Sequence, residues 1–223
     1  KEGAMIKEYY NSEKNHDVLI LGDCEVYENI STVTMWENYG ISSYIRGSAE
    51  QLIWQSYYLL EDTLKYEKPQ VVILNVLAMT ESDAKNEAYN RMTLDGMKLS
   101  KYKIASIRES MTEEENMASY IFPLLRYHSR WSELSSEDFR YMWKTPSVTT
   151  NGYLMQKGVR PVKTIPKAAP LANYTFSDRN MEYLDKIYSL CKDNGINLVL
   201  MKAPSVYPHW YDEWDKQVSD YAY

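Results

Sequence analysis

The sequence predicts an α/β protein built on a flavodoxin-like, three-layer parallel sheet. Three apolar runs, at residues 17–21, 41–45 and 71–76, have the length and composition of buried strands. Helix-forming stretches separate these runs, so strand and helix alternate along this part of the chain. Such alternation is typical of right-handed βαβ units, and we expect the first strand to be central with the second strand outside it.

Turn and cap signals mark the elements around these strands. Residues 1–16 are polar and are predicted to form an arm or a leading helix. Ser31 is expected to begin a helix and Gly40 to end it, because serine caps helix starts and glycine tolerates the left-handed conformation at helix ends. A longer helix is predicted over residues 49–65, where apolar side chains repeat along one stripe.

The alternation stops between residues 78 and 177, which we expect to form a helical, cap-like insertion over the carboxyl edge of the sheet. Helical spacing is present at 99–111 and 113–125, and Ser136 begins a capping pattern. A structureless segment of this length would be unusual in a compact domain. Loops at this edge often carry specificity.

The alternation resumes with a helix predicted over 178–191, a fourth strand over 196–201 and a last helix over 212–223. A five-stranded sheet would need one more strand. We therefore expect residues 1–223 to form a single α/β domain that is incomplete at its carboxyl end.

Composition argues against several classes of function. A net charge of −6 without a basic stripe argues against nucleic-acid binding. Cys24 and Cys191 lie in different contexts, so we expect neither a disulfide nor a metal cluster. No glycine-rich phosphate loop or metal-ligand spacing is present, and no cofactor is expected. The 21 tyrosines and 6 tryptophans suit wet clefts and sugar faces, or packing at the edge of the core.

We expect the chemistry where the first strand ends, at Gly22, Asp23 and Cys24. In open α/β sheets, ligands bind outside the carboxyl ends of the strands. Cys24 would face this crevice close to a helix start, where backbone N–H groups lower a thiol pKa if a base is also near. A cysteine in such a turn can equally be a small packed apolar residue.

The stretch Gly22-Asp23-Cys24-Glu25-Val26-Tyr27 resembles the first block of the SGNH (GDSL-type) hydrolases, in which a serine at the position of Cys24 attacks an ester carbonyl. The wider pattern is similar to envelope-associated members from Gram-positive bacteria, related to D-alanyl-transfer and polysaccharide acetyl-transfer proteins. This resemblance covers about residues 17–77 and 178–205. It implies an SGNH-type esterase or O-acyltransferase acting on an acylated cell-envelope carbohydrate or a similar small ester.

The resemblance also implies a location outside the cytoplasm, in the envelope or secreted, with a possible membrane anchor outside this chain. By the same resemblance, Cys24 would be the nucleophile, and Gly47 and Asn75 would be oxyanion donors. The Gly-x-Asn spacing of the family is absent at Asn75, which could instead be a strand amide satisfied by the backbone. Asp23 and His128 are further candidates for contact with the substrate.

The expected base is a histidine near the carboxyl end, but the Asp-x-x-His block of the family is absent from this chain. His209 follows the fourth strand at the correct edge, and Asp212 stands three residues later, so this pair could substitute. His128 could reach the crevice from the insertion, whereas His16 lies at the wrong end of the sheet. If the chain continues past residue 223, we expect the base there.

Two other hypotheses about the function arise from the sequence. The chain could be a catalytically inactive SGNH-like protein that binds carbohydrate or an envelope partner, since serine is replaced by Cys24 and the histidine block is missing. A receiver-like signalling domain is disfavoured, because the only acidic residues just after the first strand are Asp23 and Glu25.

Overall fold

A computed structural model describes the protein at residues 3–84, 86–122, 147–158, 169–205 and 210–222, and at positions 125, 136, 161 and 164. The described part is an α/β protein with one four-stranded, all-parallel sheet. Its strands are β1 (Val18–Gly22), β2 (Ser43–Gly47), β3 (Val71–Asn75) and β4 (Asn197–Met201). They are ordered β2-β1-β3-β4, which confirms the predicted central position of the first strand.

Parallel pairing brings the carboxyl ends of the strands to one edge of the sheet. Gly22 at the end of β1 is paired with Gly47 at the end of β2. Asn75 at the end of β3 is paired with Met201 at the end of β4. This edge is where the sequence places the chemistry.

Helices cover the sheet, and some of them lie in the chain segment between β3 and β4. The described helices are α1 (Ala4–Glu8), α2 (Cys24–Asn29), α3 (Thr32–Tyr39), α4 (Ile53–Thr63), α5 (Glu87–Leu94), α6 (Lys101–Ser110), α7 (Met117–Ile121), α8 (Asp178–Asp193) and α9 (Asp212–Ala222). Short 3₁₀ turns span Tyr9–Asn11 and Val76–Thr80. No helix in the described ranges is long and apolar enough to cross a membrane.

The predicted caps are confirmed, while two predicted boundaries move. Ser31 Oγ accepts the Thr34 N–H, and Gly40 ends α3 with a φ of 66°. The Ile41 N–H still bonds to the end of α3, at Met35 O, and so the second strand begins two residues later than predicted. The helix predicted from residue 49 begins only at Ile53, because Glu50 has a left-handed φ of 52° that interrupts a helix.

Alternating residues of β1 enter two hydrophobic cores. Leu19 and Leu21 face a core shared with α4, α6 and α8, whereas Val18 and Ile20 face a smaller core shared with α2. The sheet therefore lies between two layers, and burial on both faces explains the continuous apolar runs in the sequence.

The described helices of the predicted insertion pack into the larger core beside α4. Ile107 of α6 and Tyr120 of α7 are fully buried, and Trp54 Nε1 of α4 donates to Ser110 Oγ over 3.0 Å. The helix predicted over 99–111 is confirmed as α6. The second predicted helix is limited to α7, and apart from Ser136 itself the third falls outside the described residues.

The two edges of the sheet differ. A turn at Thr150–Tyr153 lies along β2, where Asn151 O accepts the Ile45 N–H over 3.0 Å. At the other edge, β4 carries partly exposed side chains, among them Val199 at 44%. The outer strand β2 is therefore partly covered by this turn, whereas β4 has side chains exposed to solvent.

Candidate functional site

A crevice with a volume of about 1420 Å³ opens at the carboxyl edge of the sheet. Its walls come from the turn after β1, the 3₁₀ turn after β3, the start of α8 and the start of α9. The carboxyl groups that line it belong to Asp23, Glu25, Glu28, Glu50, Glu81 and Asp178. This location agrees with the predicted site and gives it a strongly acidic lining.

Cys24 is the first residue of α2 and lines the crevice, as the sequence predicts. Asp23 caps this helix, because its Oδ1 accepts the Glu25 N–H over 3.0 Å. The cysteine is half-buried and also packs against the smaller core. The thiol therefore combines crevice access with packing, the two roles that the sequence left open.

The electrostatic surroundings of Cys24 oppose a thiolate. Burial and, to a smaller extent, the charges of Asp23 and Glu28 together raise the pKa of its thiol to about 11. This direction is opposite to the lowered pKa expected from a helix start alone. The physical reason is that burial disfavours the charged thiolate and that nearby carboxylates repel it as well.

Asn75 ties the ends of β1, β3 and β4 together. Its fully buried side chain donates from Nδ2 to Asp23 Oδ1 over 3.0 Å and to Glu25 Oε2 over 3.1 Å. Its Oδ1 accepts the Ala203 N–H over 3.2 Å. Both side-chain N–H donors thus face carboxylates, an arrangement that neither reading of Asn75 from the sequence predicts.

Asp23 is the most deeply placed carboxyl group of the crevice, at 9% exposure. Burial raises its pKa to about 6, although hydrogen bonds from the Glu25 N–H and from Asn75 oppose this rise. The neighbouring charge of Glu25 works in the same direction as burial. Asp23 therefore changes its protonation near neutral pH.

Lys202 is a site residue that the sequence analysis missed. Its Nζ lies 2.8 Å from each carboxylate oxygen of Glu25 and 2.6 Å from Ala203 O. The signal was available, because Lys202 directly follows β4 and the carboxyl end of every parallel strand reaches the same edge. Lys202 neutralises Glu25 and fixes the β4 end against α2.

Gly47 lies at the predicted position, next to Gly22 in the neighbouring strand. A Cβ atom on Gly47 would lie 2.9 Å from Gly22 O and 3.0 Å from Val26 Cγ2, so the site needs glycine for close packing. The Ser48 N–H donates to Gly22 O over 3.3 Å. The role of Gly47 as an oxyanion donor stays a prediction.

Of the residues considered for the base and its carboxylate partner, Asp212 and His16 lie within the described ranges. His209 and His128 lie outside the described residues. Asp212 is exposed at the first position of α9, and its neighbours Tyr211 and Trp214 line the crevice instead. His16 is buried ahead of β1, where its Nδ1 contacts the Glu67 carboxylate at 2.9 Å, in agreement with its predicted distance from the site.

Aromatic rings form one wall of the crevice. The rings of Phe176 and Trp214 stack with centroids 6.2 Å apart and an interplanar angle of 20°. Tyr211 meets Trp214 edge-on, at 4.8 Å and 88°. The high content of Tyr and Trp indicates such a surface, but the sequence does not show which rings form it.

Within the described ranges, no group of three or more His, Cys, Asp or Glu side chains is arranged to hold a metal ion. Cys24 and Cys191 are both free thiols. Comparison with known proteins adds no identification, since no family model, curated protein or solved structure matches the chain.

Proposed function

We propose that this chain is an SGNH-type esterase or O-acyltransferase that uses Cys24 as its nucleophile. The observation that carries the proposal is the position of Cys24 at the first residue of α2, half-buried in the crevice at the carboxyl edge. The strand order, the Gly22–Gly47 pair and Asn75 at the end of β3 support it. The proposed substrate is an acylated cell-envelope carbohydrate or a similar small ester.

In the proposed reaction, Cys24 Sγ attacks the ester carbonyl carbon. The S–C bond forms, the C–O bond to the alcohol breaks, and the thiol proton passes through a base to the departing alcohol oxygen. The resulting thioester then transfers its acyl group to water or to a second hydroxyl group. Because the thiol pKa is about 11, the base must remove the proton during attack.

The resemblance to envelope-associated proteins supports a location outside the cytoplasm, and an envelope protein as a possible partner. The partly exposed rings of Trp214 and Tyr211 support a carbohydrate, because flat apolar rings stack against sugar faces. The proposed location and partner come from the sequence resemblance alone.

A second candidate is a catalytically inactive protein that uses the same crevice for binding. The raised pKa of Cys24 favours this candidate. The occupation of both Asn75 N–H donors by Asp23 and Glu25 favours it as well, because an oxyanion would have to displace a carboxylate. A binding site needs only the aromatic wall and the polar groups around it.

The deciding experiment is incubation with p-nitrophenyl acetate followed by intact mass measurement. The esterase proposal expects one acetyl adduct that hydroxylamine removes and that is absent from Cys24→Ala. Cys191→Ala is the matched control, since Cys191 is also a free thiol but is buried away from the crevice. An adduct that persists in Cys24→Ala, or no adduct at all, would overturn the role of Cys24 as nucleophile and favour the binding candidate.

A further inference from the structure

We propose that the crevice binds a carbohydrate carrying a protonated amino group, and that Asn180 Oδ1 accepts a hydrogen bond from this ligand. The inference rests on the crevice being the functional site proposed above. It goes further by naming the charge and the hydrogen-bonding character of the ligand.

Asn180 supplies the first observation. The side chain is 1% exposed and lines the crevice. Its Nδ2 donates to Met79 O over 2.8 Å and to Glu81 O over 3.0 Å. Both partners are carbonyl oxygens, which identifies the donating atom as the nitrogen and the remaining amide atom as the oxygen Oδ1.

Asn180 Oδ1 has no hydrogen-bond partner within the part of the chain that the structure describes. A buried carbonyl oxygen without a donor is costly, and native proteins rarely leave one unsatisfied. A ligand that reaches this atom must therefore offer an N–H or an O–H group.

The charge of the lining supplies an independent observation. Asp23, Glu28 and Asp178 each present a carboxyl group to the crevice, and Lys202 neutralises Glu25 alone. Glu50 and Glu81 also line the crevice and have interaction partners of their own. No Lys, Arg or His occurs among the described lining residues, so the lining favours a cation over a neutral or anionic group.

The aromatic wall decides between a simple cation and an amino carbohydrate. Phe176 is 5% exposed and stacks with Trp214, which itself borders the crevice. Trp214 and Tyr211 are partly exposed and offer this wall to the apolar face of a sugar ring, and aromatic rings also attract a nearby ammonium group. An amino sugar satisfies the aromatic wall, the acidic lining and the Asn180 acceptor together.

The test is isothermal titration calorimetry at low salt and about pH 6, where aliphatic amines are protonated. The two probes are the glucosamine trimer and its fully N-acetylated counterpart, which differ in the charge of the amino groups. We expect the glucosamine trimer to bind at least about tenfold more tightly, with an affinity that falls as salt is added. Equal affinities, or no binding of the glucosamine trimer, would overturn the inference.

Variants locate the binding in the crevice. Asp178→Asn removes one exposed carboxylate of the lining, and we expect it to weaken binding of the glucosamine trimer about twofold to fivefold. Asp193→Asn makes the same change at the exposed far end of α8 and should leave binding unchanged. Equal effects of the two variants would show a general charge attraction and would contradict binding of the glucosamine trimer in the crevice.

Asn180→Ala tests the acceptor itself, and we expect it to weaken binding about tenfold. If this buried variant does not fold, the comparison of Asp178→Asn with Asp193→Asn still decides the location. Acylation of Cys24 without binding of the glucosamine trimer would refute this inference and keep the proposed function. Binding without acylation would keep the inference and remove the catalytic role of Cys24.

Discussion

The Asn75 side-chain amide donates to the Asp23 carboxylate over 3.0 Å, which joins the ends of the two central strands beneath the crevice. The same nitrogen also reaches Glu25, the residue that Lys202 neutralises. The crevice floor is therefore a hydrogen-bonded network of polar groups in which the amide of Asn75 separates two carboxylates.

Substitution of Asn75 should destabilise the fold because the side chain is fully buried. We expect Asn75→Ala to lower the free energy of unfolding by about 1–3 kcal/mol, since buried hydrogen-bonding groups lose their partner. Urea denaturation at neutral pH measures this loss. Asn86→Ala is the control, because Asn86 caps α5 at an exposed position, where the expected loss is about 1 kcal/mol.

Cys24 should react slowly with alkylating reagents. Its pKa of about 11 is two units above the ordinary cysteine value of 9.0, so its thiolate fraction at pH 8 is about a hundredfold lower than that of a free cysteine. Iodoacetamide labelling followed by peptide mass analysis gives the rate at this cysteine. A rate equal to that of free cysteine would contradict the repulsive surroundings of the thiol.

A companion substitution tests the origin of the raised pKa at Cys24. Glu28→Gln removes an exposed carboxylate that faces this thiol and should raise the labelling rate. Glu37→Gln, on the exposed side of α3, should leave the rate unchanged. Equal rates in all three proteins would show that the Glu28 charge does not contribute to the raised pKa of Cys24.

The His16–Glu67 pair should make stability depend on acid pH. Burial opposes ionisation of Glu67, but hydrogen bonds from His16 and Tyr9 lower its pKa to about 2 from the ordinary glutamate value of 4.5. The folded pKa is lower than the unfolded one, so this stabilisation is complete above about pH 5 and is lost as pH falls towards 2.

The matching variant is Glu67→Gln. We expect it to lower the free energy of unfolding by as much as about 3 kcal/mol at pH 7 and by less near pH 3. Urea denaturation at the two pH values gives the difference. Glu13→Gln is an exposed change on the amino-terminal arm that carries His16. It should have a small effect on the free energy of unfolding at both pH values. A pH-independent loss in Glu67→Gln would refute the linkage.

Arg46 and Asp62 form a fully buried ion pair between β2 and α4, with an N–O distance of 3.2 Å. Arg46→Ala should lower the free energy of unfolding by about 3 kcal/mol, because it removes the buried cation of Asp62 and leaves this carboxylate with the partly exposed Lys65 at 3.3 Å. The double variant Arg46→Met with Asp62→Leu should lose less of the free energy of unfolding, since neither buried charge of the pair remains. Thermal or urea unfolding of the two proteins measures the difference, and a greater loss in the double variant would contradict this account.

Much of the fold was predictable from local features of the sequence. Ser31, Gly40 and Ser177 carry cap signals that act within a few residues, and the structure confirms all three. The start of α4 was not predictable in this way. Its first turn is displaced by the left-handed Glu50, while Gln55 Oε1 accepts the Leu52 N–H.

The position of Cys24 followed from strand order, because the end of a central parallel strand faces the crevice. Its pKa did not follow, since the burial that contributes most to it and the approach of Glu50 arise only in the folded chain. The same holds for Lys202, whose partner Glu25 is 177 residues away. Contacts between distant residues decide the charge balance of the site.

The alternation of strands and helices could be predicted from apolar periodicity and caps, which are local properties of the chain. The sheet order and the edge at which the crevice opens followed from general rules for parallel βαβ sheets. Only the packed chain shows that Asn75 bonds to carboxylates, that the pKa of the Cys24 thiol is raised, and that Asn180 Oδ1 has no hydrogen-bond partner among the described residues. Hydrogen bonding and desolvation depend on which groups meet in space, and that is fixed only when the sheet and its helices pack together.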